Sequence, residues 1–344
     1  MSYKSEYILN SFGRLINKKF SKSLDSVIEL KADASDRKIY RLFSGDESII
    51  GIYNENINEN RAFIGFTDVF LKLKFNVPAV FDVSEDELFY LEEDLGDITL
   101  HKYSSGKSFG DLKKIYTACL KDLISFQLIA KDKIDYNLCL NSDELDYGII
   151  KHDLTKFYNC FVTDFCHAEF DEDEIKSIIE LLNDVISKVQ GKYFLYRDFQ
   201  PRNIMLKNNN LYYIDYQSGM KGPLQYDLVS FLYSGSIELT EEERNELIGF
   251  YLTELNKYEK YDDYEFMKYL YYFAFLRLIQ VLGSYGHQLS RKNDLNMLNK
   301  MNKALEKLSG IKKYITESEI KNIIDKTVIY SNTVLSKLYF ILKI

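Results

Sequence analysis

Tyr196-Arg197-Asp198-Phe199-Gln200-Pro201-Arg202-Asn203-Ile204-Met205, followed by Ile214-Asp215-Tyr216-Gln217 and then by Gln225-Tyr226-Asp227, sets three acids and one amide in order along the chain. Pro201 disfavours a helix through the first stretch, so Asp198 and Asn203 fall on an irregular turn from which both side chains can converge. After Asn203 an apolar run reverses at Asn208-Asn209-Asn210, residue types that tolerate positive φ, and a second run returns to Asp215. Asn203 and Asp215 are each six residues from Asn209. A hairpin folded there sets them across from each other at one end of the ribbon, where two hard oxygen ligands suited to Mg²⁺ would meet.

Phosphoryl transfer requires these group types: a carboxylate to orient and deprotonate an attacking hydroxyl, and oxygen ligands that keep Mg²⁺ on the phosphates while charge develops. Asp198 suits the first task, Asn203 and Asp215 the second. The same residues also read as plain structure, Asp198 and Asn203 as turn formers and Asp215 as a solvated strand end. Asp227 reads equally as the N-cap of a helix starting near Leu228 and as a site residue.

Working outward, residues 193–195, 204–206 and 211–214 form a small island of β-type runs inside long helical periodicity, as at 109–130, 172–189, 241–255 and 264–283. The first ninety residues differ in texture. Runs at 26–30, 39–43 and 48–53 alternate with the turn clusters at 33–36 and 44–46 and predict a three-stranded meander. Ala62, Phe63, Phe66, Val69, Phe70 and Leu73 then share one helical face, and runs at 79–83 and 87–91 add two strands across Ser84-Glu85-Asp86. Five strands with one helix over residues 1–95, then a helical region over 96–344, is the expected α+β organisation.

The 344 residues are enough for two packed lobes, and 46% apolar with 28% charged residues excludes a disordered chain. Lys and Arg number 44 against 52 Asp and Glu, a net charge of −8, with no basic block, so a nucleic-acid footprint is not expected. Cys119, Cys139, Cys160 and Cys166 are widely spaced and read as buried reduced thiols. Residues 1–20 carry charges through any apolar run, unlike a signal peptide, and residues 269–285 are interrupted by Arg277 and Gln280 and are too short for a membrane span. A cytoplasmic protein is expected. The apolar segment 327–344 reads first as a helix packed on the helical region, with a partner-docking or membrane-surface helix as the alternative.

The block Asp198, Asn203 and Asp215 resembles the catalytic core of the aminoglycoside phosphotransferase and choline kinase superfamily, which has a two-lobed protein-kinase-like fold. A narrower resemblance, carried by residues 194–205, 214–217 and Gly222-Pro223-Leu224-Gln225-Tyr226-Asp227, is to bacterial cell-wall-recycling kinases of N-acetylmuramate and N-acetylglucosamine, which phosphorylate the anomeric hydroxyl. The resemblance implies ATP and Mg²⁺ as cofactors and a small-molecule hydroxyl, an amino sugar first of all, as acceptor. It also implies Ser35 and Arg37 in a loop over the nucleotide and a hinge at Glu93 and Leu95 against the adenine. Asp198 is then the catalytic base, Arg202 neutralises the transferring group, Asn203 and Asp215 hold the metal, and Asp227 braces the loop. Asp153, Gln280 and Tyr285 would lie on helices lining the acceptor pocket. Other readings are an aminoglycoside- or choline-type kinase and a non-catalytic nucleotide-binding module. A protein kinase is disfavoured, because only the ten residues 216–225 separate the metal acid from the next motif.

The chain departs from the kinase pattern in three places. Tyr196 stands where a histidine often precedes the catalytic loop, and the loop 33–37 has no glycine, leaving Ser35 and backbone amides for the phosphates. Residues 49–53 have no lysine to grip the α- and β-phosphates. Arg202 and Arg37 are the candidate replacements, although Arg37 also reads as a solvated surface cation, and Glu59 is expected to lose the ion pair that would give it a role.

Overall fold

The computed structural model describes residues 3–30, 37–189, 192–292 and 295–342. Its first elements are α1 (Tyr3–Phe20), β1 (Ser26–Leu30), β2 (Lys38–Ser44), β3 (Glu47–Tyr53), α2 (Ile57–Lys72), β4 (Val80–Val83), β5 (Phe89–Glu93) and α3 (Leu100–Ser104). They are followed by α4 (Phe109–Ile129), α5 (Tyr147–Lys156), α6 (Glu172–Lys188), β6 (Tyr193–Leu195), β7 (Ile204–Lys207), β8 (Asn210–Tyr213) and β9 (Met220–Gly222). Five helices complete the chain: α7 (Leu224–Leu232), α8 (Glu241–Leu255), α9 (Asp263–Lys292), α10 (Asn296–Ile311) and α11 (Ser318–Leu342). Two compact units result. A sheet-bearing unit combines Met1–Ser105, Ile129–Asp143 and Pro201–Gly219, and a helical unit combines Gly106–Leu128, Glu144–Gln200 and Met220–Ile344.

In the sheet-bearing unit five antiparallel strands run in the order β1-β2-β3-β5-β4. Gly45, at φ 62°, opens the two-residue turn that pairs Ser44 with Glu47. Side chains alternate between faces along a strand, so β5 sends Phe89 and Leu91 one way and Tyr90 the other. Phe89 and Leu91 join Ile8, Phe12, Leu15 and Ile16 of α1 in one core, while Tyr90 stacks on Phe63 of the expected helix, α2. The sheet thus has a second helix, α1, which the sequence reading weighed only as a leader. Its charges lie between apolar residues at helical spacing. β5 begins at Phe89, two residues later than expected, because Glu87 adopts φ 56° and lengthens the turn before it.

The hairpin β7–β8 also belongs to this unit. Its register pairs Lys207 with Asn210 and Ile204 with Tyr213, so the turn is Asn208-Asn209 alone, with φ of 51° and 62°. Two consecutive positive φ values are what a tight I′ turn demands. The residue facing Asn203 is accordingly Ile214, whose amide donates to the Asn203 carbonyl at 3.0 Å, and Asp215 lies one position further on.

In the helical unit α9 packs against α5, α7, α10 and the π-helical turn Phe157–Thr163. Two glycines set that last contact. A β-carbon on Gly283 would lie 2.8 Å from the Phe157 backbone nitrogen, and one on Gly286 2.5 Å from the Cys160 carbonyl oxygen. Since the opposing atoms are backbone, Gly286→Ala is expected to cost about 1–3 kcal/mol, the usual penalty of overpacking, read as a lower melting temperature; an unchanged melting temperature would contradict this account of the crossing.

The aromatic group Tyr269, Tyr271, Tyr272, Phe273 and Phe275 is buried in this unit's core. Helix α11 packs on α6 and α10, and Lys326 pairs with Glu174 of α6 at 2.6 Å. All four cysteines are free thiols; Cys119 and Cys166 are buried and the other two half-buried. Among the described residues no helix is long and apolar enough to cross a membrane.

Candidate active site

The quoted stretch is divided between the units: Gln200 ends a segment of the helical unit, and Pro201 opens a segment of the sheet-bearing one. In the helical unit the turn after β6 is held from beneath. Asp227, in the first turn of α7 and fully buried, accepts from the Tyr196 amide at 2.7 Å and the Arg197 amide at 2.8 Å. Burial pushes its carboxyl up to about 7, against the two amide bonds that favour the charged form. Between those amides and Asp198 the chain turns through Arg197 at φ 73°, a left-handed conformation that a side-chain-bearing residue adopts at a cost. Tyr196 is a packed aromatic, edge-on to Phe126 and Phe199.

Two arginines complete this cluster. Arg277 on α9 donates through Nη2 to Asp198 Oδ1 at 3.0 Å and through Nη1 to Gln280 Oε1. Its side chain is only 7% exposed, whereas that of Asp198 is 30% exposed. Burial opposes the guanidinium's charge, while Asp198 and Tyr226 together raise the arginine's pKa. Arg197 Nη2 lies 3.5 Å from Asp153 Oδ2 on α5, and Asp153 Oδ1 lies 3.2 Å from His152 Nδ1. Asp153, Asp198, Asp227 and Gln280 are therefore neighbours through two arginines. Tyr285 lies further along α9 with its hydroxyl against Gly235.

In the sheet-bearing unit Pro201–Asn203 form one 3₁₀ turn carrying the half-buried Arg202, and β7 follows directly. The Asn203 amide donates to Asp215 Oδ2 at 3.1 Å. Asp215 is itself left-handed, at φ 69°. Its other oxygen accepts from Arg37 Nη2 at 2.5 Å and from Gln217 Nε2 at 2.9 Å. Tyr216, between them, is fixed by stacking on Phe63, an edge contact with Phe70 and a 2.6 Å hydrogen bond with Thr67. Strain at the acid is thus maintained by packing at its neighbour.

Arg37 and Glu59 behave differently from the sequence expectation. Arg37 is 13% exposed, hence no solvated cation, and its Nε lies 3.4 Å from Glu59 Oε1. Burial opposes its charge, while Asp215, Tyr90 and Glu59 together raise its pKa. The ion pair expected to be absent is present, because its cation comes from just ahead of β2 and not from β3. Glu59 is further held by Asn54 Nδ2 at 3.0 Å and Gln217 Nε2 at 3.2 Å.

The hinge is tied in the same unit. Lys207 donates to Glu93 Oε1 at 2.7 Å and to the Asp94 carbonyl at 2.9 Å, and Leu95 is buried. Asp94, which sequence reasoning passed over, takes both arms of Arg41 at 2.6 and 3.0 Å, the Ser48 hydroxyl and the Gly96 amide. Ser35 and the rest of its loop to Asp36 lie outside the described residues.

For a metal, Asn203 and Asp215 present a carboxylate and an amide oxygen, the hard donors Mg²⁺ takes in ones and twos beside water and phosphate. The 3.1 Å approach of the two side chains fits that use once the amide turns its oxygen inward. Among the described residues there is no cluster of three or more His, Cys, Asp or Glu suited to a self-sufficient metal cage.

An antiparallel five-stranded sheet, a mainly helical remainder and this ordered set of acids define a protein of kinase-like fold. The chain belongs to the phosphotransferase enzyme family (APH), whose model matches residues 26–269. Among characterised proteins it is 27% identical over 223 residues to an N-acetylmuramate/N-acetylglucosamine kinase of Pseudomonas aeruginosa, covering 63% of this chain and 62% of that one. A protein of the same name from Neisseria meningitidis is 27% identical over 172 residues, or 48% of this chain and 49% of that one. The chain thus spans about half to two thirds of the length of these relatives. Of solved structures, the choline kinase LicA of Streptococcus pneumoniae, also solved with AMP, matches at a TM-score of 0.59 and 13% identity over 90% of this chain and all of that one. An ethanolamine kinase of Plasmodium vivax matches at 0.60 and 12% over 85% of each chain.

Proposed function

We propose that the protein is an ATP-dependent kinase of a small-molecule hydroxyl, and that the acceptor is an amino sugar such as N-acetylmuramate or N-acetylglucosamine, phosphorylated at the anomeric oxygen. The observation that carries the phosphotransferase reading is the Asn203–Asp215 pair, held 3.1 Å apart beside the half-buried Arg37. The sugar reading rests on the named relatives.

In this reading Asp198 accepts the proton of the acceptor hydroxyl and aims its oxygen at the γ-phosphorus. The Asp227 carboxylate keeps the loop in its strained shape, so little reorganisation is needed as the reaction proceeds. Asn203 and Asp215 hold Mg²⁺, which when bound neutralises charge on the phosphate oxygens. Arg37, anchored by Glu59, takes the part of the absent β3 lysine, and its planar fork can address two phosphate oxygens at once. Arg202 neutralises the transferring group, and Glu93 and Leu95 border the base of the nucleotide. Asp153, Gln280 and Tyr285 belong to the acceptor side. The products are ADP and a sugar 1-phosphate, formed in the cytoplasm where ATP is supplied, and reuse of cell-wall sugars is the role that follows.

The reading is tested by ADP release from Mg²⁺-ATP with N-acetylmuramate, N-acetylglucosamine, choline and an aminoglycoside in parallel. Turnover confined to the N-acetylated sugars is expected. Turnover with choline or the aminoglycoside alone would replace the sugar, and ATP binding without ADP release from any acceptor would favour a nucleotide-binding module.

A further inference from the structure

Three acids and two arginines gather near Asp198. Arg277 occupies one oxygen of Asp198, Arg197 faces Asp153, and Asp227 is taken up by two backbone amides inside the core. His152, largely exposed, adds a second nitrogen beside Asp153. Arg197 interacts electrostatically with Tyr226, Asp153, Asp198 and Arg277. A pocket built for a cationic alcohol needs surplus carboxylate or an aromatic cage. Here the place of the cation beside the base is already filled by a guanidinium anchored at its other nitrogen by Gln280.

We propose that Arg277 is a specificity-determining residue that turns the acceptor position against cationic alcohols and toward neutral and carboxylate-bearing ones. The inference rests on the reading of Asp198 as the group that receives the acceptor hydroxyl. Arg277 acts through charge: it cancels the carboxylate that would attract an ammonium group and repels that group at short range. It reaches Asp198 because α9 lies close against the π-helical turn, where Gly283 and Gly286 leave no room for side chains.

The test uses three sugars with one ring and different charges at pH 7: glucosamine as the cation, N-acetylglucosamine as the neutral form and N-acetylmuramate as the anion. Values of kcat/KM are compared for the wild-type protein, Arg277→Gln, Arg277→Met and Arg277→Lys, with circular dichroism to check folding. The wild type is expected to rank anion and neutral above cation. The anion-to-cation ratio should fall on the order of tenfold in Arg277→Gln and Arg277→Met and persist in Arg277→Lys. Equal losses for all three sugars in the uncharged variants would mean that Arg277 only holds Asp198, and would overturn the proposal. So would a wild-type preference for glucosamine or choline. If the wild type turns over none of the sugars, the sugar-kinase reading fails, and calorimetric binding of the same three decides: a charge ranking lost in Arg277→Gln upholds the filter, and no ranking rejects it. Should neither uncharged variant fold, the wild-type ranking alone decides.

Discussion

Asp198→Asn is expected to lower kcat by about 10²–10⁴-fold, the range of a positioned general base, with KM for ATP within about twofold of the wild type. The substitution preserves shape. An amide oxygen still accepts from Arg277, which reaches Asp198 Oδ1 at 3.0 Å, so the loop keeps that tie. The braces beneath it, from Asp227 to the Tyr196 and Arg197 amides, do not involve the Asp198 side chain. Proton acceptance is removed together with the charge opposite Arg277, and the loss should fall mainly on kcat. Steady-state kinetics beside a melting curve check this: unchanged turnover would remove Asp198 from the chemistry, whereas a collapsed melting transition would assign it to the fold.

Asp215→Asn is expected to reduce kcat/KM by at least about 10²–10³-fold, the scale of losing one electrostatic stabiliser of the developing charge. The Mg²⁺ dependence of ATP binding should disappear with it. The carboxylate has two demands on it. Asn203 and a metal would share Oδ2, while Oδ1 is the 2.5 Å partner of Arg37. Removing the charge therefore weakens the metal site and leaves Arg37 leaning on its other acids, among them Glu59 at 3.4 Å. ATP titrations with and without Mg²⁺ separate the two contributions. Tightening by Mg²⁺ in the wild type and none in the variant is the expected pattern, and equal tightening in both would assign the metal elsewhere.

What the sequence disclosed follows from distance along the chain. Asn203 and Asp215 are twelve residues apart with the asparagine turn between them, so their pairing was readable. The hairpin was misread by one position because two of its three asparagines, both with positive φ, suffice for the turn. The sheet emerged from β-type runs, but α1 did not, since its apolar residues Ile8, Phe12, Leu15 and Ile16 were judged against a leader's continuous run and not at helical spacing. Long-range ion pairs left no local signal. Arg37 and Asp215 are 178 residues apart, and Arg277 and Asp198 are 79. Periodicity along one segment says nothing about a partner so far away. Thus Glu59, set aside when no lysine was found on β3, and Arg277, noted as an interruption of an apolar run, take their meaning from the fold.

The central claim is phosphoryl transfer to the anomeric oxygen of an amino sugar, and its most direct measurement is phosphorus NMR of the product formed from Mg²⁺-ATP and N-acetylmuramate or N-acetylglucosamine, with Asp198→Asn run beside the wild type. The account predicts a sugar 1-phosphate, its phosphorus coupled to the anomeric proton, in the wild-type reaction and almost none with the variant. A phosphate on any other hydroxyl, or equal product from the variant, would contradict it.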